Sequence, residues 1–414
     1  MSGATADGAA ASPLRHPAFV ALMGYRILTI LSYQIVAVAV GWQVYQLTGD
    51  PLMLGLIGLA EVIPYFCVAP FAGYLVDHLP RRKLGIAACI GLSLTAAILV
   101  GVSLRTGSEP SLWPVYAAIA LTGSVRAFLG PVYNAIFGRI LQRNQFARGA
   151  SVASIVFQSG LVIGPAIGGA LVGWAGVTAA YGIAAAFGIV AALSVGLLRL
   201  VEPPRTEPRE PIFASIAVGV RFVFGHQILL GALALDMFAV LFGGAISLAP
   251  AFIEDVLKEG PEALGILRGA PALGAVAIGL WMARHPIERN AGPVLLASVV
   301  GFGLSIIGFG LSTVFWLSAF FLLLSGVFDG VSVVLRSTVL QLSTPDEMRG
   351  RVSSINGIFI GSSNELGAFW SGSMARLLGL VPSVVFGGLM TLGVVGATAW
   401  KAPRLRRLDL RDLR

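Results

Sequence analysis

Charge is scarce in this chain of 414 residues, and so are cysteine and histidine. Asp, Glu, Lys and Arg make up 12% of the residues, whereas an average soluble domain has about 25%. This shortage excludes a soluble globular enzyme, a disordered chain and a coiled coil. Both cysteines, Cys67 and Cys89, lie inside apolar runs. They form no metal-binding pattern, and buried reduced thiols are expected.

Motifs of enzymes and of ATP-driven pumps are absent as well. The sequence contains no G-x-x-x-x-G-K-[ST] loop, no H-E-x-x-H and no G-x-S-x-G. The four histidines lie near the ends of apolar runs, where a solvated or interfacial role is the default. We therefore expect no enzymatic activity, no cofactor and no metal site. Any uphill transport would have to use an ion gradient.

The chain is rich in apolar sequence instead. Hydrophobic residues make up 56% of it, glycine supplies 52 positions, and the mean hydropathy is +0.86. A membrane-spanning helix needs about 20 apolar residues, and continuous rather than alternating runs indicate helices rather than barrel strands. The twelve predicted spans are Phe19–Leu47, Leu52–Val76, Leu84–Leu104, Leu112–Phe137, Ser151–Trp174, Val177–Leu198, Gln227–Phe252, Leu264–Ala283, Gly292–Leu311, Val314–Leu335, Val352–Leu377 and Val381–Trp400.

Basic residues are distributed unevenly between the loops. With the N-terminus inside, 21 of the 28 Lys and Arg residues fall on one face of the membrane, three on the other and four within spans. Because cytoplasmic loops carry the excess of Lys and Arg, this split predicts a multi-pass membrane protein with both termini cytoplasmic. The net charge of +8 follows from this topology, and nucleic acid is not expected as a partner.

The longest polar stretch lies in the middle of the chain. Val201–Pro211 contains four prolines and five charges and cannot continue a helix. Ile212–Gly225 then has apolar residues at helical spacing, which suggests a short interfacial helix. The predicted order is a cytoplasmic tail (1–17), a six-helix bundle (18–199), a linker with the interfacial helix (200–225), a second six-helix bundle (226–400) and a basic cytoplasmic tail (401–414).

The two predicted bundles resemble each other weakly. Residues 122–126 match residues 325–329 at an offset of 203, which places Arg126 and Asp329 at equivalent positions. The same offset places Gly169 on Gly372. Duplicated halves around a central site are a transporter architecture.

Two further alignments of the halves compete with each other. An offset of 210, anchored by Leu-Gly pairs, aligns Arg26 with Asp236. An offset of 207 aligns Glu61 with Arg268. These offsets differ by about one helical turn, so they cannot both hold.

The loop after the second span contains Gly73, Asp77, Pro80, Arg81 and Arg82. A glycine there lets another helix approach closely, and the aspartate can accept hydrogen bonds from a helix N-terminus or pair with an arginine. The spacing resembles the G-x-x-x-D-x-x-G-R-[RK] signature of the major facilitator superfamily, with proline in place of the second glycine. The resemblance implies that Asp77, Arg81 and Arg82 latch a cytoplasmic gate. The alternative is a basic loop that only sets topology.

The fifth span contains Gly160, Gly164, Pro165, Gly168 and Gly169. Glycines four residues apart form one smooth helix face, and the proline frees a backbone carbonyl and can kink the helix. This run resembles the antiporter motif G-x-x-x-G-P-x-x-G-G of the superfamily's exporters. Tight helix packing alone is the alternative, and it is required in either case.

Arg126 lies near the middle of the fourth span, four residues before Gly130. An arginine at that depth costs at least ~2.5 kcal/mol unless it is paired or hydrated. The pair resembles the superfamily's span-four motif R-x-x-x-G, which implies proton coupling or anionic substrate binding. A structural salt bridge is the alternative.

Further charged residues lie within the spans. Asp329 has the opposite sign to its repeat equivalent Arg126, and the two could face each other across a cavity, with Arg336 as a competing partner for Asp329. A carboxylate removed from water resists ionisation, so Glu61 and Asp329 are the best proton carriers, although Glu61 could be held in a structural ion pair. The other candidates for coupling or substrate contact are Asp236, Arg26 and Glu365, the last beside a polar run that is either cavity lining or a helix break.

Within the superfamily, Trp42–Gly55, Pro64 and Arg349–Val352 resemble the enterobactin-exporter and macrolide-efflux branch. The resemblance implies an all-α membrane protein with twelve transmembrane helices in two pseudo-symmetric six-helix bundles. It also implies a monomer in the bacterial inner membrane that exports a lipophilic drug-like compound or a siderophore in exchange for protons. A proton-coupled nutrient importer, a lipid scramblase and a membrane sensor are the alternatives.

Overall fold

The computed structural model describes residues 13–104, 111–141, 145–198, 212–285, 287, 289–345 and 348–413, and within these ranges it contains helices and no strand. The helices are α1 (Pro17–Thr48), α2 (Pro51–His78), α3 (Arg81–Ser103), α4 (Trp113–Ile140), α5 (Phe146–Gly196), α6 (Ile212–Gly225), α7 (Gln227–Gly243), α8 (Ala249–Ala251), α9 (Glu262–Arg284), α10 (Ala291–Leu311), α11 (Phe315–Leu342), α12 (Arg349–Leu378), α13 (Leu380–Lys401) and α14 (Pro403–Arg406).

Twelve passes can be traced through these helices. Ten segments are long and apolar enough to cross a membrane, one of them running from Gln227 through α7 and α8 to Leu257. Another, α5, has 51 residues and breaks at Gly176, where φ is 79° and only glycine is unstrained. It therefore supplies two passes, as predicted. The remaining pass is α12, the eleventh in chain order, which is 30 residues long and richer in polar residues.

Local sequence fixes the tight turn between α1 and α2. Gly49 ends α1 in the left-handed region at φ 60°, which glycine adopts without strain. The Asp50 side chain accepts a hydrogen bond of 2.9 Å from the backbone N–H of Leu52, and Pro51 occupies the first helical position. Such a cap and proline favour a new helix start at once, so the second pass returns immediately beside the first.

The seventh pass is not the continuous helix that the sequence predicted over Gln227–Phe252. α7 ends at Gly243, a 3₁₀ turn leads into α8, and Phe252–Leu257 form a π-helical turn. The physical reason is the local sequence, because Gly244 tolerates non-helical backbone and Pro250 cannot donate to the helical hydrogen-bond ladder.

A helix, α6, is present where the sequence predicts a short interfacial helix after the linker. Val223 of α6 is fully buried in a cluster with Leu233 of α7 and Ile355 of α12. Phe224 is 59% exposed, as an interfacial face would be. The predicted linker, residues 201–211, lies outside the described residues.

The two ends of the molecule differ in charge. One end carries the termini of the described chain and basic residues such as Arg82, Arg284 and Lys401, and it is called the basic end below. The other end carries the turn at Gly49, the break at Gly176 and Lys258, and it is called the far end. The first six passes and the last six passes are called the first half and the second half.

The halves meet along two seams, α2 against α12 and α5 against α9. Toward the far end, each seam contains a crossing of two glycines. A Cβ added at Gly169 would lie 2.5 Å from the backbone nitrogen of Gly265, and one at Gly372 would lie 2.9 Å from that of Gly55. Only glycine permits such backbone approach.

These crossings settle the competing repeat alignments. The offset of 203 relates Gly169 to Gly372, and the offset of 210 relates Gly55 to Gly265, so the two crossings are equivalent. Inside each half, Gly123 meets the Glu61 carbonyl as its equivalent Gly326 meets the Pro271 carbonyl, again at offsets of 203 and 210. The offset of 207, which aligned Glu61 with Arg268, is wrong.

Candidate functional site

A cluster of charged side chains lies midway along the helices where the halves meet. Arg126 of α4 forms an ion pair with Glu61 of α2, and its Nη1 lies 3.5 Å from Oε1 of Glu365 on α12. The Tyr33 ring of α1 lies under the guanidinium, with 4.9 Å from Cζ to the ring centroid. Arg126 therefore joins both halves at one point.

The packing of α2 on α4 explains why Arg126 meets Glu61. Gly123, one turn before Arg126, lies directly against the backbone carbonyl of Glu61. This approach brings the two helices so close that the Arg126 side chain reaches the Glu61 carboxylate. Of the alternatives for Glu61, the structure shows an ion pair.

Arg268 of α9 completes the central cluster. Its guanidinium interacts electrostatically with Glu365 and Glu61, although the described residues show no hydrogen bond from it. The cluster thus contains two cations and two carboxylates, and its formal charge is zero. Each half contributes one of each sign, Arg126 with Glu61 from the first half and Arg268 with Glu365 from the second.

A second charged cluster lies inside the second half. Arg336 of α11 forms an ion pair with Asp236 of α7, and their side chains are 4% and 9% exposed. Beside them, Asp329 and Ser332 of α11 line a small cavity together with α10 residues, with room for about one water molecule. No hydrogen bond or ion pair reaches Asp329 from the part of the chain that the structure describes.

This arrangement corrects two expected pairings. Arg126 binds Glu61 and Glu365 rather than facing Asp329, because α2 and α12 are the helices packed against that point of α4. Arg336 binds Asp236 rather than Asp329, since Asp236 of α7 lies directly opposite it. Among the described residues, Asp329 has no cationic partner.

Arg26 of α1 belongs to neither cluster. Its guanidinium carbon lies 3.9 Å from the ring centroid of Tyr133 on α4 and 4.8 Å from that of Phe157 on α5. Its electrostatic neighbours are tyrosines, and among the described residues no carboxylate pairs with it.

The predicted gate motif lies at the basic end. Arg82 donates a hydrogen bond to the Gly196 carbonyl at the end of α5, so it contacts its own half. Arg81, at the start of α3, is 6% exposed, and the Asp77 side chain lies outside the described residues. The close helix approach expected at Gly73 is not present, because a Cβ there would meet no heavy atom within 4 Å.

The predicted antiporter motif on α5 makes two sets of contacts. A Cβ at Gly160 or Gly164 would lie 2.7 Å from side-chain atoms of Ile30 or Gln34 on α1, and Gly168 lies against the same helix. Pro165 and Gly169 instead lie against Gly265 of α9. The motif therefore packs α5 inside its own half and also forms the seam with the other half.

Side-chain contacts at the far end join the two halves, and the sequence did not predict them. The Tyr45 hydroxyl donates to Asp255, and Gln46 Nε2 lies 2.8 Å from Oε2 of Glu254. The last contact is an ion pair of 3.0 Å between Arg376 and Asp50. The adjacent acids Glu254 and Asp255 were a usable signal, but their partners are more than 200 positions away in the chain.

The seam between α2 and α12 widens toward the basic end. On α12, a Cβ at Gly372 would lie 2.7 Å from the Pro51 carbonyl, one at Gly361 would lie 3.8 Å from the Tyr65 ring, and one at Gly357 would meet nothing within 4 Å. The molecule is therefore closed at the far end and open toward the basic end. α12 is continuous past Glu365, so the polar run beside it is not a helix break.

Comparisons with known proteins agree with this architecture. A family model described as Major Facilitator Superfamily matches residues 22–368. A relative named Enterobactin exporter EntS, from Shigella boydii serotype 4 (strain Sb227), is 29% identical over 393 residues, which cover 92% of this chain and 91% of the relative.

Two solved structures share the fold. One is a bacterial homolog to the human lysosomal transporter Spinster, in an inward-facing and unoccupied conformation, with a TM-score of 0.73, 16% identity and coverage of 98% of this chain and 99% of that one. The other is a POT family transporter in complex with 5-aminolevulinic acid, with a TM-score of 0.74, 11% identity and coverage of 94% and 96%. With its two related six-pass halves and a central charged cluster between them, this chain is a membrane transporter that belongs to the major facilitator superfamily.

Proposed function

We propose that this transporter exports a lipophilic, drug-like compound or a siderophore across the bacterial inner membrane in exchange for protons. Relatives named Enterobactin exporter, similar over 92% of the chain, support export and a siderophore as one substrate class. Superfamily membership supports alternating access by rocking of the two halves.

One observation carries the proposal. Arg126 holds Glu61 of its own half and approaches Glu365 of the other half at 3.5 Å. If the far end opens, α12 moves away from α2 and the contact between Arg126 and Glu365 breaks. Arg126 then keeps Glu61, and Glu365 remains in the same half as Arg268, with which it interacts electrostatically. The cluster can therefore separate without leaving either half's share of it with a net charge, which would otherwise be costly in the membrane.

The orientation follows from the distribution of basic residues. We assign the basic end to the cytoplasm, with both termini there, because Lys and Arg concentrate on that face. The space between the halves, which is open toward the basic end, would then receive substrate from the cytoplasm. Asp77, Arg81 and Arg82 would latch the basic end when the halves close there, and the empty space beside Gly73 leaves room for that closure.

The exchanged proton needs a carboxylate that changes its surroundings. Asp329 is the best candidate, because it lies beside a small cavity and lacks a cation partner among the described residues. A carboxylate in such a place favours its neutral form until water or a cation reaches it. Glu61 is the weaker candidate, since Arg126 already holds it in an ion pair.

Proton release from inverted membrane vesicles tests the proposal. The vesicles are acidified inside by respiration, internal pH is followed with a dye, and lipophilic cations, macrolides and catecholate siderophores are added in turn. We expect one of these classes to release protons in the wild type. Asp329→Asn should abolish that release while substrate counterflow without a gradient continues, because counterflow needs no net proton movement.

Glu259→Gln is the matched control, since Glu259 is exposed at the far end. It should release protons as the wild type does. Unchanged release in Asp329→Asn would contradict the role of Asp329. Substrate accumulation by right-side-out vesicles along the proton gradient would contradict export and favour an importer. Gradient-independent lipid scrambling would contradict coupled transport altogether.

A further inference from the structure

Arg26 is a cation within a membrane span whose buried Nε–H has no hydrogen-bond acceptor among the described residues. A guanidinium has five N–H donors and no acceptor. In the described part of the chain no acceptor lies within hydrogen-bonding distance of them, and its Nε is buried without a partner. Two aromatic rings, Tyr133 and Phe157, lie against the guanidinium at 3.9 and 4.8 Å. Cation–π contacts stabilise the charge, but they leave the buried Nε–H without an acceptor.

A second unsatisfied polar group lies beside Arg26. Tyr133 is 6% exposed, and its hydroxyl is buried with no hydrogen-bond partner. Buried polar groups are almost always paired in folded proteins. Two of them on touching side chains form a place where one polar ligand group could accept hydrogen bonds from both.

The position of Arg26 places it on the route from the open side. It lies nine residues inside the basic end of α1, or about 14 Å along the helix, and its side chain is half-buried. Tyr133 of α4 and Phe157 of α5 also lie toward the basic end of their helices. A solute that enters from the basic end reaches this place before it reaches Arg126.

The distribution of charge within the spans favours an anion beside Arg26. The central cluster is neutral in sum, and Asp329, which has no cationic partner among the described residues, lies beside the small cavity between α7, α10 and α11 inside the second half. Arg26 is a cation within the spans of the first half that has no carboxylate partner among the described residues. Its planar fork matches the oxygen pair of a carboxylate or a sulfonate.

We propose that Arg26, Tyr133 and Phe157 form a binding subsite for an organic anion that carries an aromatic ring. The oxyanion accepts hydrogen bonds from the Arg26 guanidinium and the Tyr133 hydroxyl, and the ring packs on Phe157. This inference rests on the proposed function, because it names the chemical class of the exported substrate.

Direct binding to the purified transporter tests the subsite without any transport. The probes are 2-naphthalenesulfonate and the trimethyl(2-naphthyl)ammonium ion, which share a ring system and differ in the sign of the charge. Affinities are measured by calorimetry against detergent micelles without protein. We expect the wild type to bind the sulfonate at least about tenfold more tightly than the ammonium ion.

Four variants locate the preference. Arg26→Gln should reduce the ratio of the two affinities to about one, and Arg26→Lys should keep part of it. Phe157→Leu should weaken binding of the sulfonate several-fold without reversing the preference. Arg376→Gln removes an arginine at the far end, outside the open cavity, and should leave the ratio unchanged. Thermal unfolding of each variant checks that it is folded.

Equal affinities for both probes in the wild type would overturn the subsite, even if proton-coupled export were observed. A sulfonate preference that survives in Arg26→Gln, or that is also lost in Arg376→Gln, would overturn it as well. If the binding results are as expected and vesicles show no export, the subsite stands and the proposed function fails.

Discussion

The two halves of this transporter have the same framework and opposite chemistry at equivalent positions. Arg26 and Tyr133 of the first half correspond to Asp236 and Arg336 of the second at offsets of 210 and 203. In the first half the pair is an arginine stacked on a tyrosine ring. In the second half it is a buried ion pair. The same helix–helix geometry therefore supports two different electrostatic arrangements.

The difference shows which parts of the duplicated fold are interchangeable. Glycines at the helix crossings occur in equivalent pairs, because backbone approach depends on the helix framework alone. Charged side chains do not, since Arg126 corresponds to Asp329, and Arg126 binds Glu61 whereas Asp329 lines a small cavity. The glycine positions set where helices touch, and the charged side chains give the two halves different electrostatic properties.

Breaking the buried pair should have the largest effect. Asp236→Asn leaves Arg336 charged in a site where its side chain is 4% exposed. Removal of one partner from a buried ion pair typically costs about 3–5 kcal/mol. We expect a strong fall in the thermal unfolding temperature of the purified protein. The equivalent change in the first half, Arg26→Gln, should cost much less, because it leaves no unpaired charge. Equal losses in both variants would contradict the contrast between the halves.

The two glycine crossings between the halves should be equally sensitive to substitution. Gly169→Leu and Gly372→Leu each place a side chain where a Cβ already lies 2.5 to 2.7 Å from backbone atoms. We expect both to open the far end and to slow transport at least about tenfold. Opening is measured as alkylation of Leu54→Cys, a position that is 4% exposed and packed with Ala251 of the second half, by a membrane-impermeant maleimide in a background without Cys67 and Cys89. Gly357→Leu is the control, since its surroundings are empty within 4 Å. Opening in only one crossing variant would show that the two seams are not equivalent.

The exposed ion pair at the far end should have the smallest effect. Arg376 and Asp50 have side chains that are 55% and 25% exposed, and pairs of this kind contribute about 0–1 kcal/mol. Arg376→Gln should change the unfolding temperature by no more than a degree or two. A loss comparable with that of Asp236→Asn would mean that exposure does not set the strength of these pairs.

The sequence predicted those features that depend on local pattern. Continuous apolar runs gave the twelve passes, and Gly160, Gly164 and Gly168 predicted a smooth face that indeed packs on α1. The break after Gly243 was missed because a single proline and two glycines are tolerated in many spans, and only the surrounding packing decides. Residue types alone also predicted Glu61, Arg126 and Glu365 as site residues, but they did not predict Arg268, the fourth member of the central cluster.

The partners of those charges were not predictable. Arg126 and Glu365 are 239 positions apart, and no local pattern connects α4 with α12. The repeat suggested Asp329 instead, because an alignment relates equivalent positions and not contacting ones. Choosing between offsets of 207 and 210 likewise required the backbone contact of Gly326 with Pro271.

The composition of the central cluster has a consequence for the membrane potential. A charge that crosses the membrane field exchanges about 2.3 kcal/mol per 100 mV. Arg126 and Glu61 move with the first half, Arg268 and Glu365 move with the second, and each half's share of the cluster is neutral. Reorientation of the empty cluster is therefore insensitive to voltage. Among the described residues, Arg26 and Asp329 are charges within the spans that contribute to the voltage dependence of the cycle, together with whatever charge the solute carries.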